Sequence, residues 1–368
     1  MKEQNRNLCA IKTSIGGQAL MEGIMMRGPK RAAMAVRNTE GEIVLEEVKI
    51  NTSKRPAFCR WPVIRGVFGF FDSMSLGYKC LMRSAELSGL EDLIEEDPKK
   101  EKKKKKAAPT EEASVDACAE ATEEKTEEKT EEKAEEKAEE EKKLPAWTMT
   151  AMMVTAVVIA VALAVFLFIM APTALYSWIA SFGVLTTDSA ALNSLIKSAF
   201  EGVFKILILV SYMALISLMK DIRRTFMYHG AEHKTIFCYE AGLELTVENV
   251  RKQRRFHPRC GTSFLILMLL VSIFVSFFID PISIALAGRV LPTLWRTLVR
   301  FLLLPIVMGL GYELIKLAGK HDNFFTRLIS MPGVWLQHIT VFEPTDDMIE
   351  CAIEAVKRVI PEDGSDRI

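Results

Sequence analysis

Hydrophobic positions gather into four long apolar stretches in the second half of the chain, and each is about as long as a membrane-spanning helix. A helix needs roughly 20 apolar residues to cross the hydrocarbon core of a bilayer, so the pattern predicts four transmembrane helices. In the third stretch, Asp280-Pro281 either kinks a continuous span or begins a re-entrant segment. The stretches run over residues 147–171, 195–219, 264–287 and about 299–318.

Lysine and arginine positions predict the orientation of these spans. No Lys or Arg occurs between residues 172 and 196, whereas nine occur between residues 220 and 260. Cytoplasmic loops carry the excess of basic residues. We therefore expect a cytoplasmic-membrane protein with both termini, the 220–263 loop and the 319–368 tail in the cytoplasm.

Residues 13–95 are expected to form a small cytoplasmic α+β unit before the spans. Residues 32–50 turn at 38–41 and alternate apolar and polar positions on their second half, which predicts a β-hairpin. The next apolar positions follow helical spacing from Pro62 onward. This predicts an amphipathic helix that either packs on the hairpin or lies on the membrane surface.

Two further segments flank the 147–318 membrane region. Residues 97–143 hold 17 acidic and 13 basic side chains in a low-complexity Glu/Lys pattern, which favours a disordered linker. In the tail, "QHITVF" resembles a short strand, and Thr345 or Asp346 can cap a helix that reaches about Ile360.

The stretch "MYHGAEHKTIFCYE" carries the candidate chemistry. No proline interrupts residues 196–241, so the second span can continue as a helix until Gly242. On such a helix His229 and His233 lie one turn apart, close enough to hold one zinc ion. Glu232 lies beside them and could take a proton from water activated at that metal. This H-x-x-E-H order is the one that inverzincin metalloproteases use, although nothing else in the chain resembles them.

Three other residues could complete the metal site. His257 and Cys260 end the same loop in "FHPRCGTSF", and they would approach the histidine pair if the second and third spans pack as a hairpin. Four ligands are typical of structural zinc, whereas three with an open position are typical of catalysis. Glu313, near the cytoplasmic end of the fourth span, could supply a ligand or could pair with Lys316.

Other polar stretches have alternative interpretations. "SIGGQALMEGIMMRGPKRAAMAV" is either a loop that brings Glu22 and Arg27 to a shared site or a glycine-bounded turn with methionines in the core. Arg27 or Arg259 could bind an anionic substrate group. The basic run at 251–259 could contact anionic lipid headgroups, and its sequence lacks the interleaved aromatic residues typical of nucleic-acid binding.

Four segments together resemble the YqhQ-like family of bacterial membrane proteins, a domain of unknown function described as predicted metal-dependent enzymes. They are "GGQALMEGIMMRGP", "YHGAEHKTIFCYE", "HPRCGTSF" and "LQHITVFEPTDDMIECAI". The resemblance covers nearly the whole chain except the Glu/Lys-rich segment. It implies a multi-pass protein of the bacterial cytoplasmic (inner) membrane with a metal site and no particular substrate. The residues on its motifs are Glu22, Arg27, His229, Glu232, His233, His257 and Cys260.

The sequence therefore predicts a mainly α, polytopic membrane protein with about four transmembrane helices and a small N-terminal α+β unit. The leading hypothesis for its function is a metal-dependent hydrolase, with zinc as the expected metal, at the cytoplasmic face of the membrane. One alternative is a non-catalytic scaffold that binds lipid or protein partners and holds a structural metal. A small transporter is a third hypothesis, although few polar residues other than Glu201, Lys205 and Glu313 stand out within the spans.

Overall fold

The computed structural model describes residues 11–48, 50, 56–89, 146–321 and 323–367. The chain divides into two compact units, of which one comprises Met1–Glu95 with Pro172–Ile368 and the other Glu96–Ala171. The described residues are mostly helical and include one four-stranded sheet, which confirms the predicted fold class. The predicted linker at 97–143 lies outside the described residues.

Four helical segments are long and apolar enough to cross a membrane. The third span is one helix with Pro281 inside it, so Pro281 does not begin a re-entrant segment. The spans are Val154–Ala180, Ala191–Ile216, Gly261–Ala287 and Thr293–Gly319. The corresponding helices are α2 (Ala146–Val165), which continues through a π-turn at Phe166–Met170 into α3 (Ala171–Ala180), then α4 (Ala190–Ile216), α7 (Gly261–Ala287) and α8 (Thr293–Lys320).

The N-terminal strands form an antiparallel meander in the order β1-β2-β3-β4. The predicted hairpin at 32–50 is confirmed, with Arg37 paired to Ile43 across the turn. The first hairpin was not predicted, because its second strand is buried on both faces and so reads as a continuous apolar run without alternation. The strands are β1 (Gly16–Leu20), β2 (Gly23–Arg27), β3 (Ala32–Arg37) and β4 (Ile43–Val48).

Each face of the sheet packs on helices. Met25 and Met34 face helix α1 (Ile64–Leu87), which contacts the sheet through Leu76. Side chains on the opposite face, such as Ile24 and Met26, pack on α5 (Lys220–Glu240) and α10 (Asp346–Val359), in a cluster that also includes α6 (Val247–Arg251). The strands therefore share one hydrophobic core with residues from the 220–263 loop and from the C-terminal tail.

Two features of the structure differ from the predicted secondary structure. The second span does not continue into α5, because a turn at residues 217–219 separates them and Met219 is extended. The predicted strand at "QHITVF" is also wrong, since α9 (Phe324–Thr340) runs through its first four residues. One face of the helix is buried there through Leu336, Gln337 and Thr340, and this burial outweighs the strand propensity of the β-branched residues.

Two helix ends lie where they were predicted. Gly242 ends α5 with a positive φ of 67°, and Thr345 precedes α10.

The close approach of α5 to the chain after α9 requires glycine at position 230. A Cβ atom there would lie 2.0 Å from the backbone oxygen of Phe342, and the N–H of Phe342 donates to the carbonyl of Phe226 at 3.0 Å. We expect Gly230→Ala to lower the free energy of unfolding by about 1–3 kcal/mol, because backbone must move to make room.

Denaturant unfolding of the detergent-purified protein measures this cost. Gly69→Ala is the matched control, since a Cβ at this position of α1 meets only Tyr312 at an ordinary 3.7 Å. Alanine in a helix interior is favoured over glycine by about 1 kcal/mol, so the control should be neutral or stabilising. Equal stability of the two variants would contradict the tight contact at Gly230.

Candidate metal centre

Helix α5 brings the two histidines of the H-x-x-E-H pattern into the protein interior. Nearly every residue from Tyr228 to Glu240 is buried, because the sheet and α10 cover this half of the helix. His229 and His233 lie one turn apart on it, and their ring centroids are 4.4 Å from each other.

Cys260 joins the histidine pair from the start of the third span. It is the residue that precedes α7, and the Nε2 atom of His229 lies 3.0 Å from its Sγ atom. The ligand atoms of His229, His233 and Cys260 all lie within 4.8 Å of one another, and all three residues are buried. We call these three residues the His/Cys group.

Backbone carbonyls fix the tautomer of both histidines. The Nδ1–H group of His229 donates to the Thr340 carbonyl at 3.0 Å, and that of His233 donates to the Arg255 carbonyl at 2.6 Å. A carbonyl can only accept, so the neutral form of each imidazole carries its lone pair on Nε2, toward the interior of the group. The Nε2 atom of His233 has no hydrogen-bond partner among the described residues. Histidines that bind metals usually donate the other ring N–H in this way.

Glu232 lies beside the group and is bound by the first strand. Its Oε1 atom accepts a hydrogen bond from the Gly17 backbone N–H at 2.9 Å. Burial raises the pKa of this carboxyl above its usual range, although the neighbouring His229 and His233 oppose the shift. The carboxyl is therefore a better proton acceptor than an exposed glutamate would be.

The ionisation of His229 and Cys260 is coupled. Burial alone would lower the pKa of His229, but the Cys260 thiolate and its hydrogen bond outweigh burial and raise that pKa to about 9. Burial also disfavours the thiolate, but the positive charges of His229 and His233 hold the pKa of Cys260 well below its usual value. A thiolate is the form of cysteine that binds metals.

His257 lies next to the group but its ring nitrogens face elsewhere. Its Nδ1 atom accepts from the Arg259 backbone N–H at 3.2 Å, and its Nε2 atom lies 3.8 Å from Glu240 Oε2. Its backbone is held by Gln337, which bonds both the N–H and the carbonyl of His257. Burial lowers the pKa of His257 to about 4. The structure thus places His257 against Glu240, outside the three-residue group.

The remaining predicted site residues are paired at other places. Glu22 binds Arg224 and accepts from the Tyr228 hydroxyl at 3.3 Å. The Glu313 carboxylate is bound by Arg65 of α1, with the Nε–Oε1 distance at 2.6 Å. Neither carboxylate joins the His/Cys group.

Arg27 lines a pocket of about 480 Å³ at the end of the first hairpin. Its guanidinium donates to the Ser73 hydroxyl of α1 at 3.2 Å. Gly17 also lines this pocket, and its backbone N–H is the donor to Glu232. Gly17 therefore connects the pocket to the His/Cys group, while Glu22 and Arg27 do not share a site. The other lining residues are Ser14, Gly16, Gln18, Met25, Gly28, Pro29 and Leu76.

Most of the basic run at 251–259 contacts the protein itself. Arg251 pairs with Asp346, and the Arg254 guanidinium lies 4.2 Å from the centre of the Phe237 ring. Arg259 pairs with Glu240 and donates to the Thr13 carbonyl at 2.8 Å. Burial would raise the pKa of Glu240, but His257, the Arg259 guanidinium and the Thr13 N–H outweigh burial and lower that pKa to about 2.

Glu240 and Gln337 hold the loop that carries His257, and neither was predicted from the sequence. Glu240 follows His233 by two helical turns on the same face of α5, so helical periodicity could have indicated it. No sequence signal separates Gln337 from an ordinary polar residue, because its role depends on the contact between α9 and the loop.

Loss of the thiolate should change the titration of His229 in metal-free protein. We expect Cys260→Ser to lower the His229 pKa from about 9, because burial would then act without the thiolate. Cys238→Ser is the control, since burial is what shifts the pKa of that thiol and no ionisable neighbour contributes. Nuclear magnetic resonance of labelled histidine measures the shift, and an unchanged His229 pKa in Cys260→Ser would contradict the coupling.

The pH dependence of the free energy of unfolding reveals little about the ionisation of His229 and Cys260, so the titration of His229 is measured directly. The raised His229 pKa stabilises the fold below the ordinary pKa of 6.5, and this contribution is lost as pH rises through about 9. The lowered Cys260 pKa has the opposite effect, because its contribution is present above the ordinary value of 9.0 and is lost as pH falls. Between about pH 6.5 and pH 9 the His229 contribution falls as pH rises while the Cys260 contribution grows, so the two changes in stability offset each other.

Comparison with known proteins identifies the family of this chain. A family described as "Protein of unknown function (DUF1385)" matches residues 61–362. The chain is 30% identical to the "Uncharacterized protein YqhQ" of Bacillus subtilis (strain 168) over 359 residues, which cover 95% of this chain and 93% of that protein. No solved structure matches the chain. The resemblance that the sequence motifs indicated is thus confirmed, and the protein belongs to the YqhQ-like family.

Proposed function

We propose that the protein is a metal-dependent hydrolase whose metal is held by His229, His233 and Cys260. One observation carries this proposal: three buried ligand atoms converge within 4.8 Å, with both Nδ1–H groups bonded to backbone carbonyls. Three protein ligands leave one tetrahedral position free, which is the arrangement typical of catalytic zinc.

The chemistry of the donor set fits zinc. Imidazole nitrogen and thiolate sulfur are its preferred ligands, and carboxylate-rich sites suit magnesium or calcium instead. The Nε2 atom of His233 is buried without a hydrogen-bond partner in the described part of the chain. Leaving such an atom unpaired costs about 1–3 kcal/mol, and a bound cation would remove that cost.

Glu232 is the group that would move a proton in the reaction. A divalent metal at this site would act as a Lewis acid toward water and substrate. Glu232 is adjacent in sequence to a ligand, and burial raises its pKa toward the range useful for a general base. The Gly17 N–H holds one carboxylate oxygen in place, which leaves the other to accept the proton.

The pocket at the end of the first hairpin is the proposed substrate site. It shares Gly17 with Glu232, and Arg27 would bind an anionic group of the substrate there. The excess of Lys and Arg residues in the 220–260 segment supports a site at the cytoplasmic face of the bacterial inner membrane, with both termini on that side. Some of them, such as the exposed Lys252, remain available for anionic lipid headgroups.

The alternative function is a scaffold with a structural metal, and the burial of the group favours it. His233 is 1% exposed and Cys260 is 6% exposed. The group also joins α5, the end of α9 and the loop before α7 through Thr340 and Arg255. A metal in such a place would stabilise the junction even without catalysis.

Metal analysis of purified variants tests the proposed ligands. We expect about one zinc ion per chain in the wild type, loss of that zinc in His229→Ala and Cys260→Ala, and its retention in Glu232→Gln. His321→Ala is the control, because this histidine is exposed. Wild type that binds no divalent metal after reconstitution would contradict both the hydrolase and the structural-metal scaffold.

Gly16 and Gly17 provide a matched pair that separates catalysis from metal binding. A Cβ at Gly17 would lie 2.7 Å from the Met25 oxygen and 3.0 Å from Glu232 Cδ, whereas at Gly16 it would meet nothing within 4 Å. We expect Gly17→Ala to displace Glu232 and to lower hydrolysis of a panel of phosphate esters, carboxylic esters and peptides by about tenfold or more. Its zinc content should not change.

Gly16→Ala should keep both hydrolysis and zinc. If the wild type binds zinc but hydrolyses none of the phosphate esters, carboxylic esters and peptides, the scaffold is favoured. Equal activity of Gly16→Ala and Gly17→Ala would contradict the role proposed for Glu232.

A further inference from the structure

A second group of ionisable side chains lies within the spans, far from the His/Cys group. Asp280 follows Cys260 by 20 residues along α7, which is about 30 Å at 1.5 Å per helical residue. Around it lie three side chains from α4 and two from α8. We call the following six residues the buried charge cluster: Lys197, Glu201, Lys205, Asp280, Arg296 and Arg300.

Two ion pairs cross between the helices of this cluster. Arg296 of α8 lies 2.6 Å from Asp280 of α7, and both side chains are at most 4% exposed. Arg300 lies 2.7 Å from Glu201 of α4. Hydroxyl groups complete both pairs, since Ser194 donates to Asp280 and Thr173 donates to Glu201 at 2.9 Å.

Positive charge exceeds negative charge in the cluster. Lys197 and Lys205 lie one turn before and one turn after Glu201 on α4, and within the described ranges neither makes an ion pair. The charges that act on Lys205 are those of Arg300, Glu201 and Arg296. Four basic side chains therefore face two carboxylates in a segment that crosses the bilayer, where unpaired charge is costly.

Three polar atoms in the cluster lack hydrogen-bond partners among the described residues. They are Arg296 Nε, Arg300 Nε and Asp280 Oδ1. Arg296 and Asp280 are more than nine-tenths buried. Two of the atoms are donors and one is an acceptor, so a matching ligand needs oxygen acceptors together with one hydroxyl donor.

We propose that the buried charge cluster binds a phosphate group between α4, α7 and α8. A hydrogen phosphate is anionic and so offsets the excess of positive charge. Its oxygens accept from guanidinium groups, for which arginine is well suited, and its P–OH group can donate to Asp280. This site is separate from the metal site and adds a second ligand to the proposed function.

The phosphate could come from two sources, and they differ in chemistry. Inorganic phosphate or a phosphate monoester has a P–OH group at neutral pH, whereas the phosphodiester of a membrane phospholipid has none. Sulfate has the shape of phosphate but no hydroxyl donor at neutral pH. It should therefore leave Asp280 Oδ1 unsatisfied and bind more weakly.

Thermal unfolding of the full-length protein in detergent tests this site with inorganic phosphate as the probe. A ligand that binds only the folded state raises its unfolding temperature, so millimolar phosphate should raise it while sulfate and chloride raise it less. Total phosphorus in protein freed of excess lipid tests the phospholipid source. One tightly held phospholipid per chain, with no effect of added phosphate, would assign the site to a lipid headgroup.

Lys205→Met and Lys220→Met form the matched pair for this experiment. Lys205 is buried in the cluster, whereas Lys220 is exposed at the start of α5. We expect Lys205→Met to weaken phosphate binding or phospholipid retention about tenfold or more, and Lys220→Met to leave it unchanged.

Two results would overturn the proposal. In the first, the wild type shows neither a phosphate-dependent rise in unfolding temperature nor retained phospholipid. This result does not depend on whether any variant folds. In the second, Lys205→Met keeps the full phosphate-dependent rise in unfolding temperature or the full phospholipid retention. A cluster that is only a set of internal ion pairs would give the first result, with Lys205→Met more stable than wild type.

Discussion

Polar side chains on a buried helix must each find a partner, and this constraint shapes the protein around α5. His229, Glu232, His233, Lys234 and Glu240 are all buried on that one helix. Removing such groups from water without hydrogen bonds costs several kcal/mol each. Their partners come from β1, the loop before α7, α9 and the segment before α10, so one helix brings distant parts of the chain together.

The same rule applies more strongly inside the spans. No water is available there to compensate a charge, so Asp280 pairs with Arg296 and Glu201 pairs with Arg300 across helices. Those pairs leave Lys197 and Lys205 as excess positive charge. Helix α5 and the spans thus show two outcomes of one constraint. On α5 the buried histidines meet Cys260, and within the spans the buried charges do not balance.

Burial also limits what the His/Cys group can do. Its three side chains are buried, and backbone carbonyls orient both imidazole rings. Access is then the limiting requirement for catalysis. Gly17 meets this requirement in the proposed mechanism, because it has no side chain and touches both Glu232 and the pocket.

The sequence by itself determined the four spans, the second hairpin, the C-terminal helix and the i,i+4 spacing of His229 and His233. These features depend on local periodicity, which is present in any short window of the chain. Tertiary structure decided which polar residues meet. It placed Cys260 on the histidine pair, turned His257 toward Glu240 and Glu313 toward Arg65. It also made β2 and β3 interior strands and ended the second span before α5. These outcomes depend on contacts between residues far apart in the chain, and the packing of helices and strands alone determines those contacts.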